Sequence, residues 1–354
     1  MPSLQKVGTL ADIARLTGLS KASVNAALSG HGGNTRVSAE TVRRVQEAAQ
    51  QLNYRSNSGA RALRSNRFNN IGFILVTKES HDYSYSDIIL DGLTSAATEA
   101  GQNIFLIRVP TMLDFSLKLP RTLREACLDG LIIQDAASLT PEFVEIVESC
   151  GVPVVYLNEK RKTNAVYVDD VSTARMMTEF LIKKGFRHIA YFSPIVRVPH
   201  YSTADRIEGY RNAMETAGLA SEVRRIPSGM RETEYAQWLS SGKLPEAIFC
   251  SSDEDAAILL RVLYALDIKV PRDIAIAGIN DEFLAAHSVV PLTTMKIPFS
   301  SMARYSVDML MRLIPENSPK FETSMVLMPE LVERDSTVRP KQRRTRSHSS
   351  KSDS

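Results

Sequence analysis

The stretch from Thr9 to Ser29 constrains the fold more than any other part of the chain, because it reads as two short helices joined by a tight turn. Thr9 can cap the first helix, and Gly18 can end it by adopting a left-handed backbone conformation. Apolar side chains recur in that helix at three- and four-residue spacing: Leu10, Ile13, Ala14 and Leu16. Ser20 can cap the second helix, whose inward face would consist of Val24, Ala27 and Leu28. The pattern therefore predicts a helix-turn-helix.

The second of these helices presents an outward face that consists of Lys21, Ala22, Asn25 and Ala26. In a helix-turn-helix, the second helix lies in the major groove of DNA with its first turns against the base edges. Asn25 can pair with adenine through two hydrogen bonds, and Lys21 can donate to guanine or to a phosphate. An ordinary antiparallel helix pair with a solvated polar face would show the same short pattern.

Positive charge is concentrated around this motif. Residues 1–67 contain ten lysines and arginines but only three acidic residues, a net charge of +7. The whole chain carries +3, so residues 68–354 carry −4. A charge run is usually a solvated face, but a basic surface that coincides with a helix-turn-helix is typical of phosphate contact. The charge distribution therefore favours DNA binding, with an affinity that falls steeply as the salt concentration rises.

A third helix and a short polar segment follow the motif. Ser38 can cap the helix, and its apolar stripe can close a three-helix core: Val42, Val45, Ala48, Ala49 and Leu52. Residues 57–64 can form one or two further helical turns, but so short and polar a helix is marginal in water. We expect this segment to order only against a partner.

The chain resembles the lactose-repressor and galactose-repressor (LacI/GalR) family of bacterial transcription factors. Its helix-turn-helix is followed by Leu52-Asn53-Tyr54, then by Ala60-Arg61-Ala62-Leu63, and then by Ile71-Gly72 at the start of a strand. The resemblance implies that residues 57–64 form a hinge helix that folds when two protomers bind an operator. Leu63 would then be a wedge in the minor groove, whereas without the resemblance a plain buried leucine is the simpler interpretation.

The recognition helix departs from the usual family sequence Ser-x-x-Thr-Val-Ser-Arg-x-Leu-Asn at four places, which are Ser23, Asn25, Ala26 and Ser29. Because Ala26 removes an arginine that commonly contacts bases, the operator should differ from the usual palindrome. The loop of residues 30–36 is longer than usual, and Ser56 replaces the hinge proline. The DNA-contacting residues expected from motif and resemblance together are Thr9, Ser20, Lys21, Ala22, Ser23, Asn25, Ala26, Tyr54, Asn57, Ala60, Arg61 and Leu63.

The remainder of the chain alternates strand and helix patterns, which predicts parallel sheets covered on both faces and an α/β fold. A buried strand is expected at 71–76, and further strands at 103–108, 131–134, 152–157, 188–192, 223–226, 247–250 and 274–278. Helices are expected at 87–100, 142–149, 203–217 and 254–267. The resemblance implies two lobes like those of periplasmic sugar-binding proteins, with the chain crossing between them three times.

These patterns divide the chain into four parts. We expect a helix-turn-helix domain at 1–56, a hinge helix and linker at 57–68, an effector-binding and dimerisation domain at 69–338, and a disordered basic tail at 339–354. Within the large domain, lobe one would comprise about 69–160 and 296–321, and lobe two about 161–295 and 322–338. A basic tail can add non-specific DNA affinity or be a solvated extension.

Ligands of open parallel sheets bind beyond the carboxyl ends of the strands, which here means the cleft between the lobes. Arg206 aligns with the family arginine that contacts the effector, and its guanidinium suits hydroxyls or a carboxylate. Five further residues are candidates, the polar ones as acceptors for hydroxyls and the tyrosines as flat faces for a ring: Asp253, Asn280, Asp281, Tyr85 and Tyr156. The alternative for the two aspartates is helix N-capping, since each precedes a helical pattern.

Together these features predict a DNA-binding transcriptional regulator, expected to be a repressor, whose affinity for a palindromic double-stranded operator is switched by a small molecule. The effector can be a sugar, a sugar phosphate, a purine or another metabolite, and the sequence leaves open whether it releases or promotes DNA binding. The alternative is an exported or cytoplasmic sugar-binding protein without gene regulation, although the amino terminus shows no apolar segment of a signal peptide.

An enzyme is not expected, because the chain lacks GxGxxG, GxxxxGK[ST], GxSxG and HExxH motifs. Its six histidines and three cysteines show no metal-ligand spacing, so no metal or cofactor is expected. Three unpaired cysteines in a chain of this length suggest a reduced, cytoplasmic protein without membrane attachment. We expect a homodimer, because paired readers of a palindrome need two-fold symmetry.

Overall fold

The computed structural model describes residues 8–29, 37–55, 59, 62, 67–77, 86–110, 121–134, 139–195, 200–227, 231–241 and 244–338. The chain separates into two compact units, residues 1–68 and residues 69–354. Of the predicted hinge helix, only Gly59 and Ala62 are described, and both are helical. The predicted tail at 339–354 lies outside the described residues.

Three helices make up the described part of the first unit: α1 (Leu10–Thr17), α2 (Lys21–Ser29) and α3 (Ala39–Gln51). Thr9 and Asp12 form a capping box, in which each side chain accepts a hydrogen bond from the backbone N–H of the other residue. Gly18 ends α1 with a φ of 71°, a left-handed conformation that glycine adopts without steric cost. Ser38 caps α3 by accepting from the backbone N–H of Thr41. The predicted start and stop signals are confirmed.

The core of this unit is formed by Ile13, Val24, Ala27, Val45 and Ala48. Leu10, Ala14, Leu28, Val42, Ala49 and Leu52 pack around it, as their spacing predicts. Leu16 was expected in the apolar stripe of α1, but 54% of it is exposed, because α2 and α3 cover only the side of α1 that carries Ile13 and Thr17. The helix-turn-helix is therefore packed as the sequence predicts, apart from one leucine at its edge.

Lobe one of the second unit contains a six-stranded, fully parallel sheet with the order β11-β5-β4-β3-β1-β2. Its strands are β1 (Asn70–Thr77), β2 (Asn103–Pro110), β3 (Gly130–Gln134), β4 (Val154–Leu157), β5 (Ala165–Val168) and β11 (Met325–Leu327). Its helices are α4 (Ser86–Glu99), α5 (Arg121–Arg124), α6 (Pro141–Glu148) and α12 (Phe299–Leu313). Both faces of the sheet are covered, and its central strands are accordingly apolar throughout.

Lobe two contains a second six-stranded sheet with the order β12-β10-β9-β8-β6-β7, in which only β12 is antiparallel to its neighbour. Its strands are β6 (Ile189–Ile195), β7 (Glu222–Pro227), β8 (Ala247–Cys250), β9 (Ala275–Asn280), β10 (Thr293–Lys296) and β12 (Glu330–Val332). Its helices are α7 (Asp170–Lys183), α8 (Tyr201–Thr216), α9 (Arg231–Ser240), α10 (Asp253–Ala265) and α11 (Phe283–His287), followed by a short 3-10 turn, Asp335–Thr337.

The strand pairings correct the expected boundaries between the lobes. Strand β5 lies in the first sheet, so the chain enters lobe two near Asp169 rather than at residue 161. Strand β11 also lies in the first sheet, so the last crossing falls between β11 and β12 rather than at residue 322. The predicted boundaries were wrong because a short strand belongs to the lobe whose strands it pairs with. Those strands are distant in sequence, so the local pattern does not predict the pairing. The chain still crosses three times, as the resemblance implies.

None of the helices in the described part of the chain is both long and apolar enough to cross a membrane.

Candidate functional site

The first turns of α2 form the surface that the sequence predicts to face DNA. Lys21 and Ala22 are exposed, and Ser23 is half-buried. The Ser20 hydroxyl lies 2.9 Å from that of Ser23 and accepts from the Ser23 backbone N–H at 3.1 Å, so Ser20 caps α2. With its cap satisfied inside the chain, the N-terminus of α2 offers an exposed lysine beside backbone dipoles that favour anions.

The outward face of α2 differs from expectation at one residue. Ala26 is only 7% exposed, although it lies about 200° around the helix from Val24, which packs in the core. Asn25, a quarter turn away, is half-buried. The prediction that Ala26 faces outward is wrong in this conformation, whereas Lys21, Ala22 and Asn25 remain candidates for DNA contact.

Several predicted DNA-contacting residues lie outside the described residues, namely Asn57, Ala60, Arg61 and Leu63. Tyr54 is half-buried and packs against the core of the first unit, and its backbone N–H donates to the carbonyl of Ala49 at 2.8 Å. Thr9 acts as a helix cap, which keeps its hydroxyl close to Asp12 at 2.7 Å.

In the second unit, Arg206 lies at the carboxyl ends of the strands of lobe two. Its Nε donates to Asp170 Oδ1 at 2.6 Å, and its Nη1 donates to the carbonyl of Ser251, directly after β8, at 2.8 Å. Burial would lower the pKa of Arg206, but the Asp170 carboxylate outweighs burial and raises it. The ion pair depends on Gly209, one turn later, where a Cβ would lie 2.1 Å from the Val171 carbonyl, so only glycine lets α8 approach α7 this closely.

Asp253, at the start of α10, is fully buried and uses both carboxylate oxygens within the chain. Oδ1 accepts from the Thr294 hydroxyl at 2.6 Å, and Oδ2 accepts from the Glu282 backbone N–H at 3.0 Å. Burial raises the pKa of Asp253 to about 7, although both hydrogen bonds act to lower it. Ser252 caps α10, so Asp253 is neither the predicted cap nor an acceptor open to a ligand.

Asn280 ends β9 and Asp281 follows it, with positive φ angles of 120° and 59°. Asn280 is 9% exposed, and its Nδ2 donates to Glu282 Oε1 at 2.7 Å. Asp281 forms an ion pair with Arg334 at 2.5 Å and caps no helix, since Glu282 occupies the N-cap position of α11. A non-glycine residue at φ 120° is strained, and such strain concentrates at functional sites.

The two predicted aromatic residues have different outcomes. Tyr85 lies outside the described residues. Tyr156 is only 4% exposed and packs in the core of lobe one, where Arg161 covers its ring at 3.6 Å and Glu148 binds its hydroxyl. The prediction that Tyr156 offers a face to a ligand ring is therefore wrong, because its face is already occupied by a guanidinium.

The structure identifies further polar groups at these strand ends that sequence reasoning missed. Buried side-chain oxygens of five residues have no hydrogen-bond partner among the described residues: Gln102, Gln134, Tyr191, Ser193 and Glu282. Gln102 precedes β2 and Gln134 ends β3 in lobe one, whereas the other three belong to or follow strands of lobe two. Buried polar atoms normally find a partner, and those of Gln134, Ser193 and Glu282 lie in the last residues of a strand or just after one, so they mark a candidate binding site for a polar ligand.

We call the lobe-two part of this site the strand-end cluster: Asp170, Tyr191, Ser193, Arg206, Asp253, Asp255, Asn280, Asp281, Glu282 and Arg334. A signal for part of it was present in the sequence, because polar residues inside or directly after apolar strands are unusual. Ser193 in β6 and Glu282 after β9 fit that description. Asp170 gave no such signal, since an aspartate at a helix start is usually a cap.

The two lobes also contact each other close to this site. His200 Nε2 donates to the carbonyl of Asn158 at 2.7 Å, and Lys160 forms an ion pair with Asp205 at 2.6 Å. Asn158 and Lys160 follow β4 in lobe one, whereas His200 and Asp205 belong to the start of α8 in lobe two. The described conformation therefore has polar contacts that can break or form when the lobes move.

Two segments of the chain match known domain families. Residues 9–57 match bacterial regulatory proteins of the lacI family, and residues 178–337 match a periplasmic binding protein-like domain. The first segment contains all three helices of the first unit, and the second contains most of lobe two.

Full-length relatives and solved structures show the same organisation. The HTH-type transcriptional regulator RegA of Clostridium saccharobutylicum is 27% identical over 340 residues, which cover 93% of this chain and 99% of RegA. The lac repressor dimer bound to operator and the anti-inducer ONPF has a TM-score of 0.76 at 23% identity, covering 94% of this chain and 100% of that one. The complex of the transcriptional regulator CelR with cellobiose has a TM-score of 0.67 at 24% identity, covering 93% and 99%.

Proposed function

Since this chain belongs to the lacI family of bacterial regulatory proteins, we propose that it is a sequence-specific DNA-binding transcriptional repressor controlled by a small molecule. The observation that carries the proposal is the combination of two features in one chain. A basic helix-turn-helix whose helices have side-chain N-caps occupies the first unit, and the second contains buried polar atoms without partners among the described residues, several of them near the carboxyl ends of strands. A sugar-binding protein without gene regulation would have no use for the first feature.

The DNA-reading residues in this proposal are those at the start of α2. Lys21 would contact a phosphate or guanine, and Asn25 would pair with a base edge. Residues 57–64 would fold against the minor groove, with Leu63 as the wedge that opens a central base step. The basic surplus of residues 1–67 would supply the affinity that does not depend on sequence.

The effector would bind between the lobes, where Gln134 of lobe one and the strand-end cluster of lobe two offer groups that lack partners among the described residues. A ligand that binds both lobes stabilises the relative position of the lobes in which it can contact both. It shifts operator affinity only as far as its own affinity differs between that position and the others. The contacts His200–Asn158 and Lys160–Asp205 would be the first to respond. The solved relatives carry ONPF and cellobiose, which supports a sugar or a related metabolite as the effector.

A palindromic operator requires two copies of the reader, so we propose a homodimer that acts in the cytoplasm on chromosomal DNA. The lac repressor structure is a dimer on its operator, which supports this assembly. The effector contacts would include Arg206 and Asn280, whereas Asp253 and Asp281 would position the groups that bind it.

The test is an operator-binding assay with the purified full chain on fragments from its own upstream region, in parallel with a variant that lacks residues 1–68. We expect a shifted band that competitor DNA of random sequence does not remove, and no such band from the truncated chain. A panel of sugars and nucleosides should then change the affinity of the full chain. Equal affinity for upstream and random fragments would contradict the regulator proposal, and a panel without effect would contradict the switch.

A further inference from the structure

Glu282 is a buried carboxylate with one oxygen unused. The residue is 4% exposed and lies between β9 and the short helix α11. Its Oε1 accepts from Asn280 Nδ2 at 2.7 Å, and its backbone N–H donates to Asp253. Its Oε2 is fully buried and has no hydrogen-bond partner among the described residues. A buried acceptor oxygen without a donor is costly, so a donor brought to this position would gain a favourable hydrogen bond.

The charges of the strand-end cluster do not balance. It contains two guanidinium groups and five carboxyl groups, those of Asp170, Asp253, Asp255, Asp281 and Glu282. Even with Asp253 protonated, as its raised pKa favours, four carboxylates outnumber the two cations. Each arginine is already paired with one aspartate, Arg206 with Asp170 and Arg334 with Asp281. Each guanidinium charge is therefore already compensated by a carboxylate, and an added phosphate or carboxylate would meet unbalanced negative charge in a poorly solvated place.

The neighbouring groups without partners also favour a ligand that donates hydrogen bonds. Gln134 Oε1 accepts hydrogen bonds only, while the hydroxyls of Tyr191 and Ser193 can either accept or donate. Tyr191 is fully buried, and its hydroxyl lies within electrostatic reach of Asp170 and Asp255. Acceptors therefore predominate among the buried groups that a ligand could satisfy.

Resting on the effector role proposed above, we propose that Glu282 binds a hydrogen-bond-donating group of the effector, which is therefore a neutral polyol or an amine-bearing small molecule and not a phosphate or carboxylate. A hydroxyl or ammonium group of the effector would donate to Glu282 Oε2. Both oxygens of the carboxylate would then have a donor, since Asn280 already donates to Oε1. The sequence alone allowed sugar phosphates, and the charge of this cluster excludes them.

The test is calorimetric titration of the full chain with matched ligand series. One series is D-glucose, D-glucosamine, D-glucose 6-phosphate and D-gluconate; others are D-ribose with ribose 5-phosphate, and adenosine with its 5′-monophosphate. We expect binding by a neutral or amine-bearing member and at least 100-fold weaker binding by its phosphorylated or carboxylated counterpart. Glu282→Gln should weaken that binding by about 10- to 100-fold, the range for a hydrogen bond to a charged group.

Glu316→Gln, at an exposed carboxylate outside the cluster, is the matched control and should bind as the wild-type chain does. Urea unfolding of each variant shows whether it folds. Glu282→Asp is a second variant, which keeps the carboxylate but moves it away from the ligand because its side chain is shorter. It should bind the neutral or amine-bearing ligand more weakly and still bind phosphorylated ligands poorly. Tighter binding of any phosphorylated or carboxylated member, unchanged affinity in Glu282→Gln, or no binding by any neutral or amine-bearing member would overturn the proposal.

Operator binding by the ligand-free chain keeps this result separate from the proposed function. A chain that binds its operator but prefers phosphorylated ligands would contradict only the inference about Glu282. A chain that shows the expected ligand preference but binds no operator would contradict only the regulator proposal.

Discussion

The two binding regions of this protein use polar residues in opposite ways. In the helix-turn-helix, the capping hydroxyls of Thr9 and Ser20 lie at exposed helix starts and are satisfied by neighbours three residues away. In the strand-end cluster, polar groups are buried, and their partners are distant in sequence, as with Arg206 and Asp170. The difference teaches that a surface for DNA is specified by local sequence, whereas a site for a small molecule is specified by how strands and helices meet.

The largest expected effect comes from breaking a distant buried pair. Arg206→Met should leave Asp170 as an uncompensated buried charge and lower the free energy of unfolding by about 3–5 kcal/mol. The measurement is urea unfolding of the second unit, residues 69–338, followed by its tryptophan fluorescence. The control is Arg304→Met, whose ion pair with Glu99 is fully exposed and should contribute far less. Equal losses in the two variants would show that burial does not distinguish the two kinds of pair.

A second effect follows from the titration of Asp253, whose pKa is raised from 3.8 to about 7 by burial. The folded chain therefore keeps a proton that the unfolded chain releases, so stability is lost as the pH rises from about 4 to 7. The loss is at most about 4 kcal/mol, from 1.36 kcal/mol per pKa unit. Denaturation between pH 4.5 and 8 should show this slope in the wild-type chain and a flatter one in Asp253→Asn. Asp267→Asn, at an exposed position, should retain the wild-type slope.

A smaller effect is expected at the DNA-facing surface. Asn25→Ala should reduce discrimination between operator and mismatched DNA by about 1–3 kcal/mol per half-site. Lys21→Ala should weaken binding to every sequence similarly and lower the slope of log affinity against log salt by about 1 per contact. Gel-shift titrations at three salt concentrations distinguish these results. If both variants lose affinity for all sequences alike, α2 contacts only phosphates.

The smallest effect is expected from a local cap. Thr9→Ala removes the hydroxyl that accepts from Asp12 and should destabilise the first unit by about 1 kcal/mol. Thermal unfolding of residues 1–68 measures the change, and Thr9→Ser should restore most of the stability because it retains the hydroxyl. A loss as large as that expected for Arg206→Met would contradict the contrast between local and distant partners.

Much of the fold could be predicted from the sequence because its signals are local. The capping residues Thr9 and Ser38, the turn at Gly18 and eight of the strands were all predicted from neighbours within a few positions. The elements that were not predicted are short or amphipathic segments. One of them, β5, belongs to lobe one only because it pairs with β4. The site was predicted less well: Tyr156 is covered by Arg161, and Ala26 is buried on a side that a two-helix pattern leaves open.

The sequence by itself determined that this chain has a basic helix-turn-helix and a larger α/β unit, because helix caps, apolar periodicity and net charge are properties of short segments. Only the tertiary structure decided which carboxylates are paired and which are left over. Arg206 neutralises Asp170, and Arg334 neutralises Asp281, whereas Glu282 retains an oxygen without a partner among the described residues. The physical reason is that the stability of a buried charge depends on the group that the fold places beside it. That group is distant in sequence, so no local pattern predicts it.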